Sequence, residues 1–332
     1  MPLVSIIIPC LNEEKNIRQV LDALAGQTFP SSDMEVILAD GGSIDRTLEH
    51  IHAWQQLHDT PVVRVLENQK GIIPAALNVC LKNATGTYII RMDAHSEPAA
   101  DYIERCVSAL KAGMADNVGG RWDIQPGADS WVARGIASAA SSPLGAGDAK
   151  YRYASEAGYV DTVPYGAYPR QLLLDINGYD ESLPVNEDYE LNVRIRKRGG
   201  KIWFDPAIRC IYFARPTLRA LIKQYWRYGY WKFRMLQRHP SSLRPRQIIP
   251  PLFAAGMLLL LLLGIFIPFA AKSLLLISIL YILALIIASI RAAAQYNDLS
   301  LIIGMPLAIA TIHFSWGFGF LYSLVESIFK RK

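Results

Sequence analysis

Gly86-Thr-Tyr-Ile-Ile-Arg-Met-Asp-Ala-His-Ser-Glu-Pro98 is the stretch around which the rest of the chain is organised. The apolar run from Thr87 to Met92 predicts a buried strand, and Pro98 predicts the start of a helix. Between them, Asp93 and His95 stand two residues apart at the end of the strand. A carboxylate and an imidazole that turn towards one point suit a divalent cation beside a phosphate. Taken alone, the pattern also fits a turn whose polar residues cap the next helix.

Three strand-and-helix units precede this stretch. Apolar runs at 3–8, 35–39 and 62–66 predict buried strands, the first of them ended by Pro9, and apolar residues at helical spacing follow each run. This alternation predicts a parallel sheet with both faces covered, in which ligands bind at the carboxyl ends of the strands. Polar residues that fit a cap or a turn individually gather at those ends: Asn12, Glu13, Asp40, Asn68, Lys70, Asp93 and His95.

Two familiar phosphate-binding patterns are missing from the sequence. No Gly-x-Gly-x-x-Gly follows the first strand, and the Walker pattern is absent. We therefore expect phosphates to be held by a metal ion and cationic side chains. The absence of both patterns argues against a dehydrogenase or a nucleoside triphosphatase. The cysteines are scattered without Cys-x-x-Cys spacing, and we expect them to be reduced, buried and inert: Cys10, Cys80, Cys106 and Cys210.

The composition of this 332-residue chain changes sharply near Arg246. The sequence before it resembles that of a soluble α/β protein, whereas apolar runs at 248–271, 273–290 and 299–325 follow it. Each run reaches the roughly 18 to 20 residues that a helix needs to cross a bilayer core. None of them begins at the N-terminus, so we expect no cleavable signal peptide and a first domain in the cytoplasm.

Cations crowd ahead of the first apolar run. Nine Lys and Arg residues lie between 215 and 246, and no acidic residue lies between Asp205 and Asp298. This asymmetry matches the positive-inside rule and an anionic lipid surface. The stretch 217–237 predicts an aromatic and basic helix in the membrane interface. Nucleic acid is the competing interpretation of a basic stretch, but no nucleic-acid motif accompanies it, and we expect no such partner.

Asn186-Glu-Asp-Tyr-Glu-Leu191 predicts a helix that begins at an Asn186 cap, with Glu187 and Asp188 in its first turn. The helix dipole alone explains acidic residues at this position. Their function becomes specific only when they are taken together with the other motifs of the chain.

Five motifs, in this order, resemble those of the inverting family-2 glycosyltransferases with the GT-A fold: Pro9-Cys-Leu-Asn-Glu13, Asp40-Gly-Gly-Ser-x-Asp45, Asp93-Ala-His95, Glu187-Asp188 and Gln224-x-x-Arg227-Tyr228. Two further stretches, Arg91-Met-Asp-Ala-His-Ser96 and Val163-Pro-Tyr-Gly-Ala-Tyr-Pro-Arg170, are similar to the ExoA type of succinoglycan-biosynthesis transferases, which are attached to membranes. The resemblance covers nearly all of residues 1–240 and the apolar tail.

The resemblance implies an α/β fold class: a GT-A, Rossmann-like, mostly parallel sheet, followed by an amphipathic interfacial helix and a C-terminal transmembrane helical region. On this basis we expect a cytosolic catalytic domain at 1–214, an interfacial segment at 215–247 and a membrane domain at 248–332. We further expect a multi-pass protein of the inner, cytoplasmic membrane, in contact with membrane lipids.

The resemblance also implies roles for single residues. The donor nucleotide would be bound by Pro9, Leu11, Glu13, Asp40, Lys70 and Asp93. Asp93 and His95 would hold a divalent cation, Mg²⁺ or Mn²⁺, and Asp188 would be the catalytic base. The diphosphate and acceptor region would comprise Gln224, Arg227, Tyr228, Gly166 and Glu187. Two departures from the family pattern matter: His95 replaces a second Asp, and Tyr228 replaces a Trp, which argues against a processive polymer synthase.

Together these points predict inverting transfer of a sugar from a UDP-sugar, with UDP-glucose indicated by the resemblance, to a polyprenyl-diphosphate-linked saccharide in exopolysaccharide or cell-surface glycan assembly. Such a displacement needs a cation at the leaving group and one carboxylate base. Two alternatives stay open: a polyprenyl-phosphate glycosyltransferase, in which the lipid phosphate attacks, and a non-catalytic membrane scaffold.

The membrane topology is a separate question. Three full crossings from the cytoplasm would place Lys330-Arg-Lys332 outside, against the positive-inside rule. This conflict indicates that the first or the third apolar run re-enters the membrane or lies along its surface. These two runs are the candidates because they contain prolines: Pro250 and Pro251 in the first run and Pro306 in the third.

Overall fold

The computed structural model describes residues 2–329, which divide into two compact units. The first unit comprises the chain up to Asp123 together with Tyr153–Tyr212, and the second comprises Ile124–Arg152 together with the chain from Phe213 onward. The ranges expected from the sequence follow chain order, whereas residues 124–152 pack with the C-terminal part. Chain order therefore does not describe the packing of this protein.

The first unit begins with the predicted parallel sheet, which the structure confirms. Its strands are β1 (Val4–Cys10), β2 (Met34–Asp40), β3 (Val62–Glu67) and β4 (Tyr88–Arg91). They lie in the order β3-β2-β1-β4, and all three pairings are parallel. Cys10 pairs with Asp40, and Asp40 pairs with Glu67, so the carboxyl ends of β1, β2 and β3 align at one edge.

Helices cover both faces of this sheet. They are α1 (Ile17–Ala25), α2 (Thr47–Gln55), α3 (Ile73–Asn83), α4 (Tyr102–Lys111), α7 (Arg170–Asp175) and α8 (Glu187–Lys197). Ile6 and Ile8 pack in one buried cluster with residues of α1, α2 and α4, whereas Ile7 packs in a second cluster with residues of α3, α7 and α8. Successive strand side chains point to opposite faces, which explains the division into two clusters.

The rest of the sheet contains antiparallel pairings. It is built from β5 (Glu97–Pro98), β6 (Asn117–Gln125), β7 (Gly158–Tyr159), β8 (Ala167–Pro169) and β9 (Ile202–Phe213). Beyond β4 the order is β8-β6-β9-β5, with β7 on β9, and β8 runs antiparallel to β4 and to β6. The expectation that Pro98 opens a helix was wrong. Pro98 lies in β5, where it pairs with Cys210, and α4 begins only at Tyr102.

The expectation that Pro9 ends the first strand was also wrong. β1 continues through Pro9 to Cys10, and Pro9 pairs in register with Ala39 of β2. The register of β1 with β4 ends at Ile7, so at Pro9 the strand has a neighbour on one side only. Proline is tolerated in a strand where the ladder has such an edge, because its missing N–H leaves no bond unmade there.

The second unit is helical. It contains α5 (Trp131–Ala140), α6 (Pro143–Ala146), α9 (Leu218–Arg238), α10 (Pro245–Gly264), α11 (Pro268–Tyr296) and α12 (Leu301–Phe329). Within residues 2–329, α10, α11 and α12 are the three helices long and apolar enough to cross a membrane. The apolar runs in the sequence placed the break between the first two helices near Lys272. In the structure α11 begins earlier, at Pro268, because proline at the first helical position favours a helix start.

The cysteines are as expected: Cys10, Cys80, Cys106 and Cys210 are buried free thiols. Burial raises the pKa of Cys10 and of Cys80 to about 12. Because the thiolate is the reactive form, these thiols are inert at neutral pH.

Gly120 marks a close approach between β6 and β9. A Cβ atom added there would lie 1.8 Å from the carbonyl oxygen of Ile208. Forcing an extra carbon into such a contact costs about 1–3 kcal/mol. We therefore expect Gly120→Ala to lower the thermal midpoint of the solubilised protein by roughly 2–12 °C, since a unit of this size shifts by about 2–4 °C per kcal/mol. Gly158→Ala is the matched control, since an added Cβ meets nothing within 4 Å. Equal midpoints for the two variants would contradict this packing.

Candidate active site

The loops that follow β1 and β2 hold each other in place. The Asn12 N–H donates to Ser43 Oγ at 2.8 Å, and the Ile44 N–H donates to Asn12 Oδ1 at 2.9 Å. The Glu13 N–H donates to Thr47 Oγ1 at 2.7 Å. Asn12 has a φ of 55°, a left-handed conformation that asparagine tolerates better than most residues. One edge of the predicted donor site is therefore a rigid pair of loops.

Asp40 stabilises its own turn. One carboxylate oxygen accepts the N–H groups of Gly42 at 3.1 Å and Ser43 at 3.0 Å, and the other accepts the Ser43 hydroxyl at 2.6 Å. The side chain is buried. These bonds shape the loop after β2, and the contact of Asp40 with a nucleotide base stays a prediction.

Glu13 connects the loop after β1 with the turn after β4. Its Oε1 lies 3.1 Å from Nδ1 of His95, and its Oε2 accepts a hydrogen bond from Asn16 Nδ2 at 2.8 Å. A carboxylate only accepts, so the proton of a neutral His95 ring lies on Nδ1 and the lone pair on Nε2. Metal-binding histidines are oriented by carboxylates in this manner. Glu13, which the resemblance assigned to the donor nucleotide, here contacts the predicted metal ligand His95.

Arg91 is the centre of the site. It is buried at the end of β4, and one guanidinium nitrogen lies 3.2 Å from Asp93 Oδ1 and 2.9 Å from Glu187 Oε1. The other terminal nitrogen lies 4.0 Å from Asp188 Oδ2. Carboxylates from the end of β4 and the start of α8 thus meet at one guanidinium. Asp93 and Asp188, which are distant in the sequence, belong to one cluster.

The charges of this cluster are unbalanced, since one cation faces three carboxyl groups. Burial would lower the pKa of Arg91, but Asp93, Glu187 and Asp188 outweigh it and raise this pKa well above its usual value. Burial raises the pKa of Glu187 to about 7, an effect that Arg91 opposes and Asp188 reinforces. Near neutral pH Glu187 is therefore only partly ionised, and the remaining excess of carboxylate charge favours a further cation beside the cluster.

Asp188 is the most accessible member of the cluster. Its side chain is 39% exposed, compared with 7% for Arg91 and for Glu187. The structure confirms that α8 begins after Asn186, but Asn186 adopts a left-handed φ of 67° and makes no capping hydrogen bond through its side chain. The predicted side-chain cap was therefore wrong. The left-handed residue turns the chain into the helix and directs Glu187 and Asp188 towards Arg91.

Asp93 and His95 are the metal ligands predicted from the sequence. Residues 2–329 contain no group of three or more His, Cys, Asp or Glu side chains that would hold an ion. Arg91 contacts Oδ1 of Asp93, so a cation would be bound by Oδ2 and by the imidazole of His95. Mg²⁺ commonly uses one or two protein carboxylates and completes its shell with phosphates and water. The residues present fit an ion that arrives with a diphosphate.

The remaining predicted residues of the first unit lie in different surroundings. Lys70 is exposed and pairs with Glu181 at 2.5 Å, and Leu11 is exposed after β1, next to half-buried Pro9. Gly166 is buried, and a Cβ there would lie 2.2 Å from the Tyr168 hydroxyl. Gly166 therefore has a packing reason to be glycine, and its carbonyl accepts the N–H of Arg91 at 3.1 Å.

Gln224, Arg227 and Tyr228 lie on α9 of the second unit. Gln224 Nε2 donates to the Tyr228 hydroxyl at 3.2 Å, and Arg227 is exposed. Their contact with a diphosphate stays a prediction.

Arg91 was not among the site residues expected from the sequence. The available signal was a single arginine at the end of the otherwise uncharged Tyr88-Ile-Ile-Arg91 strand. A buried guanidinium has to be paired, so a charge inside a predicted core strand indicates carboxylates from elsewhere in the chain. The sequence does not identify those carboxylates, because the pairing is not local.

The raised pKa of Glu187 predicts how stability depends on pH. The folded protein holds this proton up to a pH of about 7, whereas the ordinary pKa is 4.5, so the folded state binds more protons in between. The contribution of Glu187 to the free energy of unfolding is therefore present below pH 4.5 and is lost as the pH rises to about 7.

Glu187→Gln should reduce the fall in the free energy of unfolding between pH 4.5 and about 7. The measurement is thermal unfolding at several pH values without added metal. Glu67→Gln, at an exposed carboxylate, is the control. An unchanged slope in Glu187→Gln would contradict the assignment.

Known proteins with similar sequences and structures agree with the family and fold expected from the motifs. The model of the family described as "Glycosyl transferase family 2" matches residues 5–173. The chain is 29% identical to dolichyl N-acetyl-alpha-D-glucosaminyl phosphate 3-beta-D-2,3-diacetamido-2,3-dideoxy-beta-D-glucuronosyltransferase of Methanococcus voltae, over 98% of both chains. It is 34% identical to succinoglycan biosynthesis protein ExoA of Rhizobium meliloti, over 74% of this chain and 73% of that one.

Among solved structures, mannosyltransferase PcManGT from Pyrobaculum calidifontis, in complex with GDP-Man and Mn²⁺, aligns with a TM-score of 0.62. The alignment covers 100% of this chain and 88% of that chain at 19% identity, which supports the GT-A-like fold. The matched sequence range, the named relatives and the shared fold lead to one conclusion: the chain is a glycosyltransferase that belongs to glycosyl transferase family 2.

Proposed function

We propose that this glycosyltransferase transfers a sugar, with inversion, from a UDP-sugar to a polyprenyl-diphosphate-linked saccharide at the cytoplasmic face of the inner membrane. UDP-glucose is the donor we propose first, in assembly of an exopolysaccharide or another cell-surface glycan. The observation that carries the proposal is the meeting of Asp93 and Asp188 at Arg91. The acceptor class is supported by the names of two relatives, one a dolichyl-phosphate-linked saccharide transferase and the other a succinoglycan biosynthesis protein.

Two sets of residues would serve the two ends of the displacement. Asp93 and His95 would hold Mg²⁺ or Mn²⁺, which stabilises the charge on a departing diphosphate. Asp188 would accept the proton of the acceptor hydroxyl as that oxygen attacks the anomeric carbon from the opposite side. One displacement with one base inverts the configuration. Arg91 would orient Asp93 and Asp188 through its contacts with their carboxylates.

Asp188 is a better base than its neighbour for two reasons. Glu187 is buried, and Arg91 lies 2.9 Å from its carboxylate, so an acceptor hydroxyl cannot reach it without displacing that pair. The raised pKa of Glu187 also means that a proton is already present for part of the time near neutral pH. Membership of the glycosyltransferase family and this charged cluster together argue against the non-catalytic scaffold.

Replacement of the base tests the proposal directly. We expect Asp188→Asn to lower kcat by about 10²–10⁴-fold, the usual contribution of a general base. UDP binding, measured by calorimetry, should stay near the wild-type value, because Asp188 is not assigned to the nucleotide. Asp59→Asn changes an exposed carboxylate outside the site and is the control. Turnover of Asp188→Asn near the wild-type rate would remove Asp188 from this role and favour the alternative in which a lipid phosphate attacks.

Metal dependence is a separate test. Chelation should abolish transfer, and Mg²⁺ or Mn²⁺ should restore it. We expect Asp93→Asn to raise the half-saturating metal concentration about tenfold or more. Loss of a residue that only hydrogen-bonds to a metal ligand already lowers metal affinity about 10–100-fold, and loss of a ligand should lower it at least as much. Glu49→Gln, on the exposed side of α2, should leave it unchanged. Full activity in chelator would contradict a metal-dependent step.

A further inference from the structure

Two arginines share one carboxylate near the ends of β6 and β9. Nε and one terminal nitrogen of Arg209 both lie 2.7 Å from Oδ2 of Asp123. Nε of Arg121 lies 3.7 Å from Oδ1 of the same side chain. One carboxylate cannot neutralise two guanidinium groups, so Arg121 and Arg209, called here the arginine pair, keep a net positive charge.

Arg121 is the less satisfied member of the arginine pair. A separation of 3.7 Å is too long for a hydrogen bond to Asp123. Nε of Arg121 is buried, and within residues 2–329 it has no hydrogen-bond partner. The side chain as a whole is nevertheless 39% exposed. Since buried polar groups of native proteins are nearly always paired, this guanidinium is arranged for a partner other than Asp123.

Arg121 lies at the same edge of the sheet as the metal ligands predicted from the sequence. β8 is antiparallel both to β4, where Ile90 pairs with Ala167, and to β6, where Val118 pairs with Ala167. β4 and β6 therefore run in one direction and end at one edge. Arg121 is three residues beyond Val118, as Asp93 is three residues beyond Ile90. With one strand between them, the two strands lie about 10 Å apart.

Arg121 also lies on the face of the sheet that α8 covers. Val118 and Trp122 of β6 pack with the buried cluster of α1, α2 and α4. Because successive side chains of a strand alternate, Asn117 and Arg121 point to the other face. Asn117 Nδ2 donates to Asn192 Oδ1 of α8 at 2.7 Å, which agrees with this assignment and fixes α8 on β6.

The bond between Asn117 and Asn192 relates the arginine pair to the proposed base. Arg121 is four residues further along β6, about 13 Å towards the carboxyl edge of the sheet. Asp188 is four residues back along α8, about 6 Å in the same direction, because α8 begins beside Arg91. The base and Arg121 thus lie on one face of the sheet and at one edge.

The arginine pair and the Arg91 cluster differ in charge. Arg91 faces three carboxyl groups, so a phosphate can approach that cluster only together with a cation. The arginine pair has an excess of positive charge and can hold a phosphate directly, through charge-assisted and bidentate hydrogen bonds. A phosphate that carries no metal ion is therefore suited to the arginine pair.

The arginine pair is close in sequence to the points at which the chain leaves the first unit. That unit ends once at Asp123 and again at Tyr212, and the second unit, which contains the three long apolar helices, continues from Ile124 and from Phe213. In a lipid-linked saccharide, the phosphate lies between the apolar tail and the sugar. Cations that are close in the chain to the apolar helices are suited to such a phosphate.

We infer that Arg121 and Arg209 bind the phosphate next to the sugar in a prenyl-linked acceptor, while the acceptor hydroxyl reaches Asp188. Asp123 holds Arg209 in place and competes with the phosphate for both guanidinium groups. The inference rests on the proposed acceptor class. It adds a phosphate site that the five sequence motifs do not include.

Calorimetry on the full chain in detergent tests the inference, with farnesyl diphosphate as a short prenyl diphosphate. Saturating UDP and Mg²⁺ keep the donor site occupied. We expect Arg121→Gln and Arg209→Gln each to weaken farnesyl diphosphate binding about tenfold or more, because each removes charge-assisted hydrogen bonds. Binding of farnesol, which has no phosphate, should not change. Arg105→Gln, on exposed α4, is the matched control, since Arg105 also pairs with an aspartate.

Three results would overturn the inference. Unchanged farnesyl diphosphate binding in both arginine variants would remove the arginine pair from this role. An equal loss for farnesol would mean that the arginines do not recognise the phosphate. Inorganic diphosphate that binds as tightly as farnesyl diphosphate would mean that the site serves a free anion rather than a lipid.

Asp123→Asn gives a measurement that misfolding cannot imitate. This variant keeps both cations and removes the anion that competes for them. We expect it to tighten farnesyl diphosphate binding, and more so at low salt, since exposed charges are screened as the ionic strength rises. Unchanged or weaker binding would contradict an anion site at this position.

The binding assay also separates this inference from the proposed function, because it needs no turnover. Weaker binding in the arginine variants, combined with no transfer from UDP-glucose, would support the phosphate site and contradict the proposed donor. Transfer to a polyprenyl-diphosphate-linked saccharide with an unchanged KM for that acceptor in Arg121→Gln would overturn the phosphate site alone.

Discussion

The buried guanidinium of Arg91 is the interaction on which the candidate site depends. Removal of a guanidinium from water is costly, and only close carboxylates compensate for it. Asp93 follows Arg91 in the chain, but Glu187 and Asp188 belong to α8 and reach it only after the sheet and its helices have formed. Fold and site are therefore stabilised together, since Arg91 and these carboxylates would be left with uncompensated charge if either segment were misplaced.

The same cluster explains why the site suits a phosphorylated donor and a cation. Three carboxyl groups around one arginine leave an excess of negative charge, which a proton on Glu187 relieves only partly. A divalent ion that arrives with a diphosphate would balance the remainder. In the proposed metal site His95 would be a neutral ligand in place of a second carboxylate, with the Glu13 carboxylate 3.1 Å behind it. The departure from the usual motif is thus compensated by a residue on a different loop.

The second unit is built from two parts of the chain that are far apart in sequence. Residues 124–152, which come between strands of the catalytic sheet, pack along α12 through glycine contacts and the Arg134–Asp298 pair. Close packing at Gly135 and Gly304 requires small residues, because any side chain there would separate the helices. The basic helix α9 continues the same surface along the second half of α12.

Local patterns were sufficient to predict β1 to β4, the helices between them and the three apolar helices, because period and composition are properties of short windows. The family was indicated separately, by the resemblance of the ordered motifs. They failed where a distant segment sets the outcome: Pro98 is held in β5 by Cys210, and Pro9 continues β1 because the register with β4 has ended. Arg91 and its carboxylates, Glu13 with His95, and α12 with α5 and α9 likewise became visible only in three dimensions. Each is a pairing between residues far apart in the chain, and a window of sequence contains only one partner.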